Sequence, residues 1–351
     1  MKRVMRLSGA AAVASAIAVG GIGAGISSAS STKASAAKAS STKASSFTLG
    51  VVADTGGLND HGYNHLADVG AIEAQKKLGI KISVTQAQTS ADYVPLLTKA
   101  AENGDNLVVA VGFDFIDALG QVAKQFPKTH FAIVDTPASA IAGKPKNVEG
   151  LTFESQQSGY LVGYLTGLIA KAKGWTTVSS VGGQDIPSVT GYIAGYQMGG
   201  KKADPKLKFL NNFSNNFQDQ SDCETLAEDQ ISQGSKVVFQ VAGGCGLGAL
   251  QAAKIKGVYG IGVDADQSYL GSFVLTSALK KVDVAVENAA ASMLHGKFDG
   301  GKDLLYSVSN NGDGYGTLDA LAKPYAAQLA KVLAQMKAGK IKNIPANLPS
   351  H

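Results

Sequence analysis

Three aspartates stand where short apolar runs end: Asp54 follows VVA, Asp135 follows AIV and Asp264 follows IGV. Ionised Asp accepts hydrogen bonds and donates none, so three of them around one cleft suit a ligand rich in O–H and N–H donors. A bound carboxylate or phosphate calls for Arg instead, and beyond Arg6 the chain has no Arg at all, every further fixed positive charge being Lys. Aromatics supply the complementary chemistry. Tyr63, Phe113 and Phe217 lie in or beside loops that follow apolar runs, and a flat ring at a cleft mouth can stack on a flat ligand ring for roughly 1 to 3 kcal/mol. Taken singly, each Asp also reads as a loop or cap residue and each ring as core. Three carboxylates at the ends of parallel strands are harder to explain that way, and Tyr63, between Gly62 and Asn64, is poorly placed for full burial.

The elements that must hold these residues alternate. Strand-like apolar runs occupy 47–52, 80–85, 107–111, 130–134, 148–153, 176–181, 208–213, 236–241, 258–263 and 272–276. Helical patterns lie between them at 62–78, 93–102, 116–126, 156–170, 189–202, 223–233, 248–255 and 282–294. Such alternation argues for right-handed βαβ units and parallel sheets, whose ligands collect where the strands end. Ten strands fit two doubly wound domains better than one very wide sheet. The halves share a plan: VVAVGFDFIDALGQV at 108–122 and VVFQVAGGCGLGALQA at 237–252 both put Gly at the exit of an apolar strand. There it frees the backbone to turn and lets helix N–H groups face a ligand. GGCGLG fits a dinucleotide fingerprint only loosely and lies late in the chain.

The first residues read as a leader rather than as fold. Lys2, Arg3 and Arg6 precede an apolar run of Ala, Gly, Val and Ile to about Ile26, the pattern of a secretory signal peptide. Cleavage fits after Ala29, or as late as Ala36, and 30–46 reads as a Ser/Ala/Lys-rich tether. A membrane anchor is the alternative, weakened by the scarcity of large apolar residues. Roughly 300 residues remain, enough for two domains. With 45% hydrophobic and 17% charged residues the chain can bury real cores. Its formal charge of +5 comes from the leader and tether, which hold six basic residues and no acid, so the basic balance is no argument for nucleic acid.

GGLNDHGYN resembles the opening signature of the basic membrane protein family, the PnrA-like purine nucleoside receptors of bacterial ABC importers. AVGFDFIDALGQVAKQFPKTHFAIVD, NVEGLTFESQQSGYLVGYLTG, VFQVAGGCGLGALQAA and GVDADQSYLGSFVLTSALKKVDVAV also resemble that family, in family order across nearly all of the mature chain. The resemblance implies an α/β type I periplasmic-binding-protein fold: two doubly wound Rossmann-like lobes, a hinge of three crossing strands and a nucleoside in the cleft. It divides the chain into one lobe of 47–152 plus 267–300 and another of 153–266 plus 301–351. Carried over residue by residue, it makes Tyr63 and Phe217 the stacking rings and Asp54, Asn64 and Asp135 the base-reading positions. Asp264 and Lys280 become the ribose clamp, Gly243 and Gly244 offer backbone contacts, and Phe113 lines the pocket. The expected partners are a small-molecule ligand and a membrane permease, with no nucleic acid, no cofactor and no metal, for a monomer outside the cytoplasm.

Three departures qualify the resemblance. The leader has no Cys to accept a lipid, so a secreted or envelope-associated protein is expected. Tyr63 stands where the family has Phe, and Gln157 where it commonly has Glu. The cysteines, Cys223 and Cys245, fit export: in a βαβ layout both fall on the carboxyl edge of one sheet, where a disulfide is geometrically feasible. Lys280 also reads as a solvated residue beside Lys281. Asp60, Asp264 and Asp266 form an alternative cation set, but their spacing fits no EF-hand. The five His are scattered, and neither a Ser-His-Asp order nor Cys/His metal spacing appears, so the chain reads as a binding protein rather than an enzyme. A surface sensor of the same fold, without transport, is the alternative.

Overall fold

The structure is a computed structural model and describes residues 46–348. The expected signal peptide and all but the last residue of the expected tether lie outside the described residues. Two six-stranded sheets carry the fold. The first is built from β1 (Thr48–Ala53), β2 (Lys81–Gln86), β3 (Leu107–Val111), β4 (His130–Val134), β5 (Val148–Phe153) and, much later, β11 (Asp303–Tyr306), in the order β11-β5-β4-β3-β1-β2. The second holds β6 (Thr177–Gly182), β7 (Lys208–Phe213), β8 (Val237–Val241), β9 (Tyr259–Asp264), β10 (Val274–Lys280) and β12 (Asp313–Tyr315), in the order β12-β10-β9-β8-β6-β7. Central strands such as β3, LVVAV, are buried at every residue, as strands covered by helices on both faces must be.

The helices that cover the first sheet are α1 (Tyr63–Leu78), α2 (Tyr93–Glu102), α3 (Ile116–Gln125) and α8 (Val282–Leu294). The second sheet is covered by α4 (Ser155–Lys173), α5 (Pro187–Ala203), α6 (Gln220–Ser232), α7 (Gly246–Ile255) and α9 (Ala326–Lys337). The sequence sets their ends. Gly79 and Gly174 adopt left-handed backbone at the C-termini of α1 and α4, and Pro187 opens α5 with a preset φ. In α4 and α5, Gly159 and Gly163 meet the carbonyls of Tyr192 and Tyr196, while Gly195 and Gly199 meet those of Gln156 and Tyr160. A methyl at any of the four would collide with backbone, so glycine every fourth residue is what lets the two helices touch.

The lobe boundaries differ from the expected ones in two places. Residues 267–300 do not travel together: β10 belongs to the second sheet, and only from α8 does the chain return to the first lobe. Nor does 301–351 lie wholly in the second lobe, because β11 pairs with β5 before β12 and α9 rejoin the second. The chain thus crosses between lobes three times, near residues 154, 281 and 307. A further difference is that β12 runs antiparallel to β10, Asp313 facing Lys280, where parallel pairing was expected throughout.

Hydrogen bonds knit the crossings together. Glu154 N–H donates to the Tyr306 carbonyl at 2.9 Å, and Lys281 N–H to Gly312 at 2.8 Å. Gln157 bridges two crossings: its Oε1 accepts from Val308 N–H at 3.0 Å while its Nε2 donates to Glu154 at 2.5 Å. A Glu here could not make that donation without carrying a proton.

Candidate ligand cleft

In each sheet the first strand is flanked by the second on one side and the third on the other, so the winding reverses between β1 and β3 and again between β6 and β8. Open α/β sheets leave a crevice at that reversal, beyond the carboxyl ends of the strands. Asp54 and Gly56 leave β1 there, Gly112 leaves β3, and Gly243 and Gly244 leave β8. The two crevices face one another across a cleft of about 590 Å³, counting the part open to solvent. All ten candidate residues line it: Asp54, Tyr63, Asn64, Phe113, Asp135, Phe217, Gly243, Gly244, Asp264 and Lys280. Helix starts line it as well, from α1 and α5, with Gly243 and Gly244 just ahead of α7.

The wall from the first lobe is dominated by carboxylates and one amide. Asp54 Oδ1 accepts from Gly56 N–H at 2.7 Å and from Asn64 Nδ2 at 2.8 Å. Burial lifts the Asp54 carboxyl to about 6, and the Asn64 and Gly56 bonds only partly resist. Asp60 stands just ahead of α1 and takes the N–H groups of Gly62, Asn64 and His65 at 2.7 to 3.0 Å. These are donors that a helix start leaves unpaired. Asp60 Oδ2 also accepts from Asn64 Nδ2 at 3.3 Å. Tyr63 is half-buried, and its hydroxyl is enclosed beside the Asp135 carboxylate without a well-formed hydrogen bond among the described residues. Burial, reinforced by Asp135, Asp54 and Asp264, pushes that phenol well above its ordinary range, so it stays protonated.

At the back of the cleft a single cation meets several carboxylates. Lys280, 2% exposed, donates to Asp135 Oδ2 at 2.6 Å, and the pair joins the two lobes. Burial works against the ammonium, but Asp135 and Asp264 outweigh it and raise the Lys280 pKa. The rings of Tyr192, Tyr63 and Phe153 lie 5.1, 5.5 and 5.5 Å from Nζ, within cation–π range. Asp264 accepts from the Tyr192 hydroxyl at 3.0 Å; burial raises its carboxyl to about 6 against the pull of Lys280. Asp313, facing Lys280 across the β10–β12 pair, is buried with neither oxygen in a well-formed hydrogen bond among the described residues, and burial raises its carboxyl well above the usual range despite Lys280 and the Glu154 backbone. Asp135 and Asp264 both have left-handed backbone, φ 61° and 60°. That conformation is uncommon outside Gly, least so for Asn and Asp.

The wall from the second lobe is mostly apolar or bare backbone: Ile186, Val189, Val241, Gly243 and Gly244, with Phe217 from the loop before α6 and the Ser188 hydroxyl. Phe217 packs over Gly183, where a methyl would collide with its ring. Cys223 and Cys245 form a disulfide with Cα atoms 5.6 Å apart, tying the start of α6 to the residue before α7. The glycines of GGCGLG serve this packing: Gly248 lies against the Gln220 backbone and Gly246 against Gln240. At the rim the lobes touch through Gln218 Nε2 on Thr55 Oγ1 at 3.1 Å, Gln267 Nε2 on the His61 carbonyl at 3.4 Å, and the His61 and Tyr269 rings at 6.0 Å.

Asp60 and Tyr192 face the cleft without having been singled out for it. Asp60 carries a readable signal, an acid just ahead of a helix, but its chemistry there is capping. Tyr192 has none, because in TGYIAGY it reads as a core-facing helical position. Of the alternative cation set, Asp60 is spent on N–H groups and Asp266 is turned to Thr317, whose hydroxyl donates to it at 2.6 Å.

A two-lobed α/β protein with a polar cleft at facing strand ends has the architecture of a solute-binding protein. Consistent with this, the family described as ABC transporter substrate-binding protein PnrA-like matches residues 47–347, and the chain belongs to that family. The nucleoside-binding protein BmpA of an ABC transporter in Lactococcus lactis is 31% identical over 313 residues, covering 83% of this chain and 87% of that one. An uncharacterised lipoprotein of Pyrococcus horikoshii is 31% identical over 311 residues, covering 85% and 74%. Among solved structures, an ABC transporter solute-binding protein from Aeropyrum pernix shares the fold, with a TM-score of 0.75 at 24% identity over 85% of this chain and 94% of that one.

Proposed function

We propose that the chain binds a purine nucleoside between its lobes outside the cytoplasm and delivers it, as a monomer, to the permease of an ABC importer. The observation that carries this reading is one cleft combining an acceptor-rich wall, Asp54, Asn64 and Asp135, with rings from opposite lobes, Tyr63 and Phe217. Tyr63 and Phe217 cover the faces of the base, and Phe113 lines its edge. Asp54, Asn64 and Asp135 read its N–H groups. Asp264 and Lys280 hold the sugar hydroxyls, and Gly243 and Gly244 let the second lobe approach closely. The name of the Lactococcus relative supports a nucleoside over a free sugar, and the disulfide supports an oxidising compartment.

The test uses protein unfolded, dialysed and refolded to strip any carried ligand, then melted against nucleosides, free bases and sugars. A purine nucleoside at one hundred times its Kd should stabilise by about 2.7 kcal/mol. No shift with any nucleoside overturns the reading.

A further inference from the structure

Asn64 is 2% exposed and lines the cleft, and the two ends of its amide are treated differently. Nδ2 is held twice, by Asp54 Oδ1 at 2.8 Å and Asp60 Oδ2 at 3.3 Å, while Oδ1 is buried without a partner among the described residues. Turning the amide over would set Oδ1 against two carboxylate oxygens and leave the NH2 unpaired. The side chain therefore has one favourable orientation, and in it the end left for a ligand is an acceptor. Asp60 is itself fixed, because its two oxygens hold the N–H groups at the start of α1. Asp54 is fixed by Gly56 N–H, and a methyl on Gly56 would press on both Asp54 Oδ1 and Asn64 Nδ2.

We infer that Asp60 is a positioning residue that locks Asn64 as an obligate acceptor, so that the cleft selects a flat ring bearing an N–H donor on its edge and rejects one whose edge carries only bare ring nitrogens. This rests on the nucleoside reading above and adds the polarity of the edge that is read. A ring without a donor leaves Asn64 Oδ1 desolvated and unpaired, and sites built to hydrogen-bond a ligand discriminate most strongly against the analogue that lacks the matching group. Adenosine, inosine and guanosine each carry an edge N–H; purine riboside has the same ring and sugar with none.

Titration calorimetry of the refolded, ligand-free full chain with these four nucleosides decides the matter. At least one of the first three is expected to bind ten or more times more tightly than purine riboside. Asp60→Asn, checked for fold by circular dichroism, is expected to bring that ratio towards one. A purely structural role for Asp60 would weaken all four ligands alike and keep the ratio, overturning the lock. Equal binding of all four to the unaltered protein overturns the inference while leaving the nucleoside reading intact, and it does so even where Asp60→Asn fails to fold. Binding of none overturns both.

Discussion

The two lobes share a strand order and present opposite chemistry. Each places an Asp with left-handed backbone at the exit of its fourth strand, Asp135 after β4 and Asp264 at the end of β9. At the winding reversal they diverge. The first lobe fills its crevice with Asp54, Asp60 and Asn64, bonded to one another and to the start of α1. The second leaves its crevice to glycine backbone and apolar side chains, and braces it with a disulfide and glycine-packed helices. Repeating a fold thus repeats the place where a ligand sits, not what is said to it. One wall is lined mainly by hydrogen-bonding side chains, and the other mainly by apolar side chains and bare backbone.

The largest expected effect strikes where the walls meet. Lys280→Met leaves Asp135 and Asp264 buried without their cation and should cost about 3 to 5 kcal/mol of unfolding free energy, read by urea denaturation. Adding Asp135→Asn should recover part of the loss. If the double variant is no more stable than the single, the pair is not what joins the lobes. Next comes the brace found only in the second lobe. Replacing Cys223 and Cys245 by Ser opens a link spanning 22 residues and should cost about 2 to 4 kcal/mol. Amide exchange should quicken in α6 and α7 while the first lobe keeps its protection; uniform quickening would mean that the lobes are not braced separately.

A smaller effect is set by pH and touches both walls. Asp54 and Asp264, lifted from 3.8 to about 6, hold protons in the folded chain over that interval while the unfolded chain has released them. Their contribution to stability is therefore greatest at the acid end and falls as pH rises through about 6. Ligand affinity should run the other way, weakening below pH 6 by up to about tenfold per unit for each carboxylate it uses. Asp54→Asn should flatten its share of both profiles, and a stability that rises from pH 4 to 6 in step with Asp54 ionisation would contradict the assignment. The smallest effect is that of Tyr63→Phe. Its hydroxyl lies beside Asp135 without a well-formed hydrogen bond among the described residues, so removing it should change stability by less than about 1 kcal/mol, and a larger loss in the same urea titration would show that the hydroxyl is firmly bonded.

Most of this architecture is legible in the sequence because buried parallel strands are written as apolar runs. The runs at 107–111, 130–134, 148–153 and 208–213 match their strands residue for residue. What the chain does not announce is which sheet a strand joins. The run at 272–276 reads as a strand in isolation, shorter and earlier than the observed Val274–Lys280, and only the pairing with β9 assigns that strand to the second lobe. β11 and β12, four and three residues long at the sheet edges, have too short an alternation to register. α9 did carry a signal, Leu329, Val332, Leu333 and Met336 at helical spacing, though it lies beyond the alternating pattern. The candidate cleft was legible wherever a residue ends a strand or follows it directly, as Asp264 does in the first way and Asp54 and Asp135 in the second. Tyr192 comes from the body of a helix, where a residue facing the cleft and one facing the core look alike.

Lys280 is the last residue of β10, and a single residue separates it from α8, where the chain has already changed lobes. Lys280 thus sits at a crossing between the lobes, while Gln218 and Tyr269 meet the first lobe at the rim of the cleft. Changes at the rim should therefore alter how readily the lobes part without altering which ligand is preferred, whereas changes at Lys280 should alter both.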